Sequence, residues 1–158
     1  MIKNKTLLSQ GYIAVQFPLE TQVKTFVLEK RWKELDQYFL EISKPGGQLR
    51  EFLNEFLDYE KLEHIIAIRT APLDEEGIWH DDGSRFLGFS LSLNLYPETI
   101  SGGNLFFKKK EEKDSVVFPP QSFGTIILFL SGLFGYEHMV SAVTSGERIV
   151  IAGWCSSD

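Results

Sequence analysis

The sequence predicts an α+β fold in which N-terminal helices pack on one face of an antiparallel β-sandwich or jelly roll. Three observations predict it. Apolar residues step by three and four through the first part of the chain. From His64 onward they alternate or gather in short β-rich runs. Gly and Pro pairs punctuate that second part. Helices first and strands afterwards is the order of segregated layers. The length, 158 residues, suits one domain able to bury a sizeable core. The chain is therefore read as one domain over 1–158, with 1–63 mainly helical support and 64–158 the β core.

The elements follow in order. Leu28, Trp32, Leu35, Phe39 and Ile42 form one stripe of a helix over roughly residues 20–43. Pro45-Gly46-Gly47 breaks it. Leu49, Phe52, Leu53, Phe56 and Leu57 make a second amphipathic helix. Residues 64–70 are a short strand, and 72–77 (PLDEEG) a loop. Phe89, Leu91, Leu93 and Leu95 then alternate with Ser90, Ser92, Asn94 and Tyr96, the period of a strand. Its apolar face demands cover, which the helices supply. Its small polar face meets either solvent or a wet cavity inside the roll; alternation does not separate the two. Pro97 ends this strand. Ser101-Gly102-Gly103 is a turn, and Asn104–Phe107 another strand. Lys108–Lys110, followed at once by Glu111, Glu112 and Asp114, reads as a solvated loop. Val116–Phe118 and Thr125–Leu130 are strands. Glu137–Val143 and Arg148–Trp154 close the chain as a hairpin across residues 144–147.

Composition removes several classes. Apolar residues are 43% and charged residues 24%, ordinary for a globular protein. No apolar run reaches the length of a membrane span. MIKNKTLLSQGY lacks the apolar stretch of a signal peptide, so none is expected. Cys155 is the only cysteine, which excludes an internal disulfide and a cysteine zinc site, and points to a reducing cytosol. The net charge of −6 disfavours nucleic acid as a partner. Asp74, Glu75, Glu76, Asp81 and Asp82 crowd one stretch. The Asp74–Glu76 loop reads either as a lid favouring a cationic substrate or as a solubilising surface.

Histidine is scarce: His64, His80 and His138. His80 and Asp82 form H-x-D, and on a strand such residues point to the same side. With His138 as third ligand, two nitrogens and one oxygen bind one face of a metal and leave the other open. That is the facial triad suited to Fe(II) and oxygen chemistry. His64 is the alternative ligand, but reads better as a strand-start histidine. Arg148 follows His138 by ten residues, and its fork fits a carboxylate. A perfect hairpin puts these two residues on opposite faces, so their cooperation demands a bulge or a shifted register.

Taken together, Trp79-His80-Asp81-Asp82-Gly83, Leu91-Ser92-Leu93-Asn94, Gly102-Gly103-Asn104-Leu105-Phe106-Phe107, Pro119-Pro120 with Gly124 ahead of Ile127-Leu128-Phe129, and the block His138–Trp154 resemble a known family. It is the iron(II)- and 2-oxoglutarate-dependent dioxygenases, in their prolyl-hydroxylase-like branch. The resemblance implies a double-stranded β-helix of cupin type. It implies Fe(II) held by His80, Asp82 and His138, with Arg148 gripping the distal carboxylate of 2-oxoglutarate. O2 is then the second cosubstrate, ascorbate a supporting reductant, and succinate and CO2 the by-products of hydroxylating a C–H bond. The substrate it implies is a prolyl or other residue in a peptide or protein, or an amino-acid-like molecule. The chain departs from the family at Arg69-Thr70, where a tyrosine commonly follows the arginine, and at Ser92, where some relatives carry tyrosine. Thr70 and Ser92 are the candidate hydroxyl donors to the cosubstrate, and Asn94, Trp154 and Arg69 the candidate substrate contacts. Two other readings stay open: a non-catalytic jelly-roll binding module, and a cupin-type metalloenzyme without 2-oxoglutarate. Neither needs Arg148.

Overall fold

The computed structural model describes residues 1–158. Its N-terminal part holds four helices, α1 (Lys5–Gln10), α2 (Thr21–Leu28), α3 (Trp32–Ile42) and α4 (Gln48–Asn54), and a strand, β1 (Tyr12–Gln16). Asn4 caps α1 by accepting from the Leu7 amide at 2.9 Å. The single helix expected over 20–43 is two helices. Lys30 takes a left-handed φ of +55° between them and turns the chain. Leu28 therefore leaves the stripe and is 62% exposed, while Val23 and Val27 supply the buried face of α2. Leu35 and Phe39 of α3 and Leu49 and Leu53 of α4 are fully buried in the same core. Truncating one of these to alanine costs about 2–5 kcal/mol.

The rest is antiparallel strand: β2 (Lys61–Thr70), β3 (Leu87–Ser92), β4 (Ser101–Gly102), β5 (Leu105–Lys109), β6 (Val116–Phe118), β7 (Thr125–Leu130), β8 (Tyr136–Val140), β9 (Val143–Ser145) and β10 (Glu147–Ser156). One sheet has the order β1-β7-β3-β10-β2, a second β6-β5-β8, and a third is the short pair β4-β9. Leu87, Phe89, Leu91, Ile126, Leu128, Ile149 and Ile151 form the face of the large sheet that joins the helices in one core. Gly153 leaves room there: a Cβ on it would strike the Phe89 ring.

The other face of the large sheet turns inward. Ser90 pairs with Ala152 and Ile127, and these positions look into the roll. So the small polar side of β3 is the wall of an interior cavity, not a solvent face. The strand itself ends at Ser92, before Leu93 and Leu95.

The expected C-terminal hairpin does not form. β8 pairs with β5, Phe107 opposite His138. β10 pairs instead with β2 and β3. Residues 141–146 carry the chain from one sheet to the other, and β9 pairs on the way with β4, which occupies the expected turn at Ser101–Gly102. His138 and Arg148 thus belong to different sheets and line one cavity from both. The parity conflict of a hairpin disappears. The expected loop at Lys108–Lys110 is corrected too. Lys108 and Lys109 lie in β5, Lys108 pairs with Glu137 at 3.4 Å, and Lys110 pairs with Asp81.

Candidate active site

His138 stands on β8, and the segment before β3 runs alongside it. Gly77 N–H donates to the Val140 carbonyl at 2.9 Å, and His80 and His138 exchange two backbone hydrogen bonds of 3.0 and 2.9 Å. A Cβ at Gly77 would fall 2.5 Å from the Val140 oxygen, so glycine permits this approach. The bridge sets the two imidazoles side by side, ring centroids 4.2 Å apart. Asp82 does not follow on a strand, as the H-x-D spacing suggested. It sits in a turn with φ +62°, followed by Gly83 at +63°. The turn swings its carboxylate under both rings. Oδ1 lies 3.5 Å from His80 Nε2, and Oδ2 lies 3.4 Å from His138 Nε2. One ligand atom from each residue falls within 4.8 Å of the others.

The electrostatics of this tripod are those of a site awaiting a cation. His80 Nδ1 is 2.8 Å from the Ile78 carbonyl, which fixes the proton there and leaves the Nε2 lone pair facing Asp82. Burial pushes the His138 pKa down to about 3, with the neighbouring His80 ring adding to the effect, so this imidazole is neutral. Burial raises the Asp82 carboxyl, against the pull of His80 and of the Trp154 indole. Asp82 Oδ2 and His138 Nδ1 are buried without any hydrogen-bond partner. A buried carboxylate oxygen left unpaired is costly. A divalent first-row metal among two imidazole nitrogens and one carboxylate meets that need. The donor set fits Fe(II).

The rings open onto a cavity of about 230 Å³ lined from both sheets. Ile65, 51% exposed, and His80 mark its mouth, and Arg148, 5% exposed, marks its inner end. Arg148 makes no ion pair and no side-chain hydrogen bond. Burial lowers its pKa to about 10, Arg69 pushes the same way, and Asp74 opposes both. It remains a cation at neutral pH. A buried guanidinium without a counter-charge, facing a cavity, is a site for an anion. Gly103, at φ +65°, gives it room; a Cβ there would stand 2.9 Å from Arg148 Cδ.

The remaining candidates divide. Arg69 and Trp154 line the cavity. Arg69 is held by Asp74 at 3.3 Å and by the Glu75 carbonyl at 2.9 Å, and Trp154 carries the Arg85 guanidinium 4.7 Å over its ring. Ser92 lines a water-sized compartment beyond Arg148 and donates to the Gln121 carbonyl at 2.7 Å. Asn94 borders it, but both ends of its amide serve backbone. Nδ2 donates to Gln121 O at 3.1 Å, and Oδ1 accepts from Ile149 N at 2.8 Å. It is a strut between strands rather than a substrate contact. Thr70 is exposed and donates to Glu147 at 3.0 Å. It lies on the face of β2 opposite Ile65, Ala67 and Arg69, so its hydroxyl does not reach the cavity. His64 bonds Asp36 at 2.8 Å beneath α3, away from the tripod. The acidic loop is sewn down. Asp74 accepts from Val143 N at 2.7 Å and Glu76 from Ala142 N at 2.9 Å, which ties it to the crossing that leads into β9. Cys155 is buried, its thiol pushed up to about 12, and is inert. Ala67 is a cavity residue with no role in the sequence analysis, and Ser90 realises the cavity reading of the polar face of β3. Parity along the strand is the signal that finds them: Ala67 shares its face of β2 with Arg69, and Ser90 its face of β3 with Ser92.

Residues 68–156 match the 2OG-Fe(II) oxygenase superfamily. A PKHD-type hydroxylase of Hyphomonas neptunium is 29% identical over 136 residues, covering 73% of this chain. The chain spans 57% of the length of that relative. Among solved structures, a Pseudomonas putida prolyl-4-hydroxylase aligns over 96% of this chain and 87% of its own, with a TM-score of 0.65 at 23% identity. An oxidoreductase of the 2OG-Fe(II) oxygenase family from Burkholderia pseudomallei aligns over 96% and 86%, with a TM-score of 0.71 at 14% identity. A prolyl hydroxylase from Trichoplax adhaerens, solved with a hypoxia inducible factor peptide, aligns over 96% and 86%, with a TM-score of 0.61 at 17% identity. The paired sheets are thus the double-stranded β-helix of these proteins, and by its matched core the chain belongs to the 2-oxoglutarate- and Fe(II)-dependent oxygenase superfamily.

Proposed function

We propose that the chain hydroxylates a C–H bond in a prolyl or other residue of a peptide or protein, with an amino-acid-like molecule as the smaller alternative. The observation that carries this is Arg148, a buried cation without a partner at the inner end of a cavity whose outer part holds the His80, Asp82 and His138 tripod. A binding module or a cupin-type metalloenzyme has no use for it. The cosubstrate 2-oxoglutarate is a small dicarboxylate that reaches from such a cation to a metal.

Each residue has a role. His80 and His138 offer neutral nitrogens, the second kept neutral by burial. Asp82 brings the negative charge that favours a divalent ion. Arg148 binds and orients the distal carboxylate of 2-oxoglutarate. Leu105, Phe129 and Val150 exclude water around it. Fe(II) held by His80, Asp82 and His138 would supply the oxygen chemistry that links oxidative decarboxylation of 2-oxoglutarate by O2, to succinate and CO2, with hydroxylation of the substrate. Arg69 and Trp154 shape the wall that a substrate side chain passes. The cavity is smaller than the ~300 Å³ at which ligand pockets usually begin. It takes the cosubstrate and the tip of one side chain, so the remainder of a substrate lies outside. That, with relatives described as prolyl hydroxylases, favours a peptide.

The test is succinate formation from 2-oxoglutarate with Fe(II) and ascorbate under air, with and without a proline-containing peptide library. Stimulation by peptides that gain one oxygen atom supports the proposal. Turnover that no peptide raises, but a free amino acid does, moves it to the smaller substrate.

A further inference from the structure

Asp82 reaches the metal site only through a left-handed backbone, a conformation that L-residues other than Asn, Asp and Gly seldom adopt. The structure shows what holds that turn from outside the site. Asp81, between the two ligands, points away from the cavity. Its Oδ1 accepts from Gly83 N at 3.0 Å, closing the turn around Asp82. Its Oδ2 accepts from Lys110 Nζ at 2.5 Å. Its carbonyl accepts from Gly132 N at 2.9 Å. Lys110 follows β5, the strand paired with His138-bearing β8, and its own N–H donates to the Gly135 carbonyl at 2.9 Å. Gly132 fits flush against this arrangement: a Cβ there would lie 2.6 Å from Asp81 Cβ. The pair therefore ties the Asp82 turn to the sheet that carries His138. Nearby, Lys108 stacks on Trp79 at 4.7 Å, a second tie between β5 and the same segment.

We infer that Asp81 and Lys110 are a positioning pair for the metal centre: the carboxylate–ammonium contact holds Asp82 in its left-handed turn and so sets metal affinity, although neither side chain touches the metal. The inference rests on the proposed metal site. Outer partners that orient metal ligands typically govern affinity by about 10–100-fold. This pair is solvent-accessible, which places it at the low end. Asp81 also closes the turn, so its loss has the larger effect.

The experiment is Co(II) titration of the purified chain, followed by the visible spectrum of the bound ion, for wild type, Asp81→Ala, Lys110→Ala, Lys110→Arg and the Asp81→Ala/Lys110→Ala double variant. Thermal unfolding of the metal-free proteins is measured in parallel. Asp81→Ala is expected to weaken Co(II) binding about tenfold. Lys110→Ala is expected to weaken it about three- to fivefold, and Lys110→Arg to restore most of the loss. The double variant is expected to match Asp81→Ala alone, because the two act through one contact. Unchanged affinity and spectrum in Lys110→Ala overturn the inference. So do losses that add in the double variant, or a loss in Lys110→Ala that Lys110→Arg does not rescue. A wild type that binds no Co(II) refutes the metal site itself, a separate outcome.

Discussion

Replacing Arg148 with methionine should stabilise the ligand-free protein while destroying its response to 2-oxoglutarate. Folding pushes the guanidinium pKa down to about 10, mainly by burial. At 1.36 kcal/mol per pKa unit, the charged form is disfavoured in the folded state by about 3 kcal/mol. The direction follows from proton counting. Above pH 10 the unfolded chain keeps this proton more readily than the folded chain, so stability rises with pH there. Below that pH the cost is fully present. Methionine keeps the aliphatic contact beside Gly103 and carries no charge. No ion pair or side-chain hydrogen bond is lost with the guanidinium. A gain of about 2–3 kcal/mol is expected, or about 5–10 °C in Tm for a chain of this size. Scanning calorimetry of the metal-free proteins, with and without 2-oxoglutarate, reads both effects. Wild type should melt higher as 2-oxoglutarate is added, by mass action, and Arg148→Met should not. A lower Tm for Arg148→Met, together with a surviving 2-oxoglutarate shift, would refute the assignment of Arg148 as an unpaired anion anchor.

Three more substitutions separate structure from chemistry. Asn94→Ala leaves the buried Ile149 N–H without its acceptor and should cost about 1–3 kcal/mol in urea unfolding, with uncoupled succinate formation retained in the folded fraction; selective loss of 2-oxoglutarate affinity would return Asn94 to the binding site. Gly153→Ala drives a methyl into the Phe89 ring and should destabilise by about 1–3 kcal/mol, read as a fall in urea midpoint at constant slope. His64→Ala removes the bond to Asp36 and should lower stability without changing metal stoichiometry; loss of metal would make His64 a ligand.

The ligand set is legible in the sequence because its chemistry is rare there. With three histidines in the chain, H-x-D is weak by itself, but the H-x-D, a later His and an Arg ten residues on stand in the order of the family the chain resembles. The helix-then-strand order is legible because periods of 3.6 and 2 differ over long runs. Sheet membership is not. Residues 136–156 look like a hairpin locally, and only pairing of β8 with β5 and of β10 with β2 and β3, contacts distant in sequence, assigns them to opposite sheets. β1 is not legible either. Its five residues, YIAVQ, lie among helices and become a strand by pairing with the edge of β7, a partner more than a hundred residues away. The break at Lys30 is invisible for a similar reason, since a lysine with positive φ has no sequence signature. Thr70 enters only through the resemblance, and strand parity sets it outside: Arg69 faces the cavity, so its neighbour faces away.

Iron stoichiometry tests the central claim most directly. Anaerobic equilibrium dialysis against Fe(II) should load one ion per wild-type chain and lose it in Asp82→Ala and His138→Ala, while His64→Ala stays loaded. A wild type that takes up no iron, or an Asp82→Ala protein that holds it as tightly as wild type, would contradict the site as described.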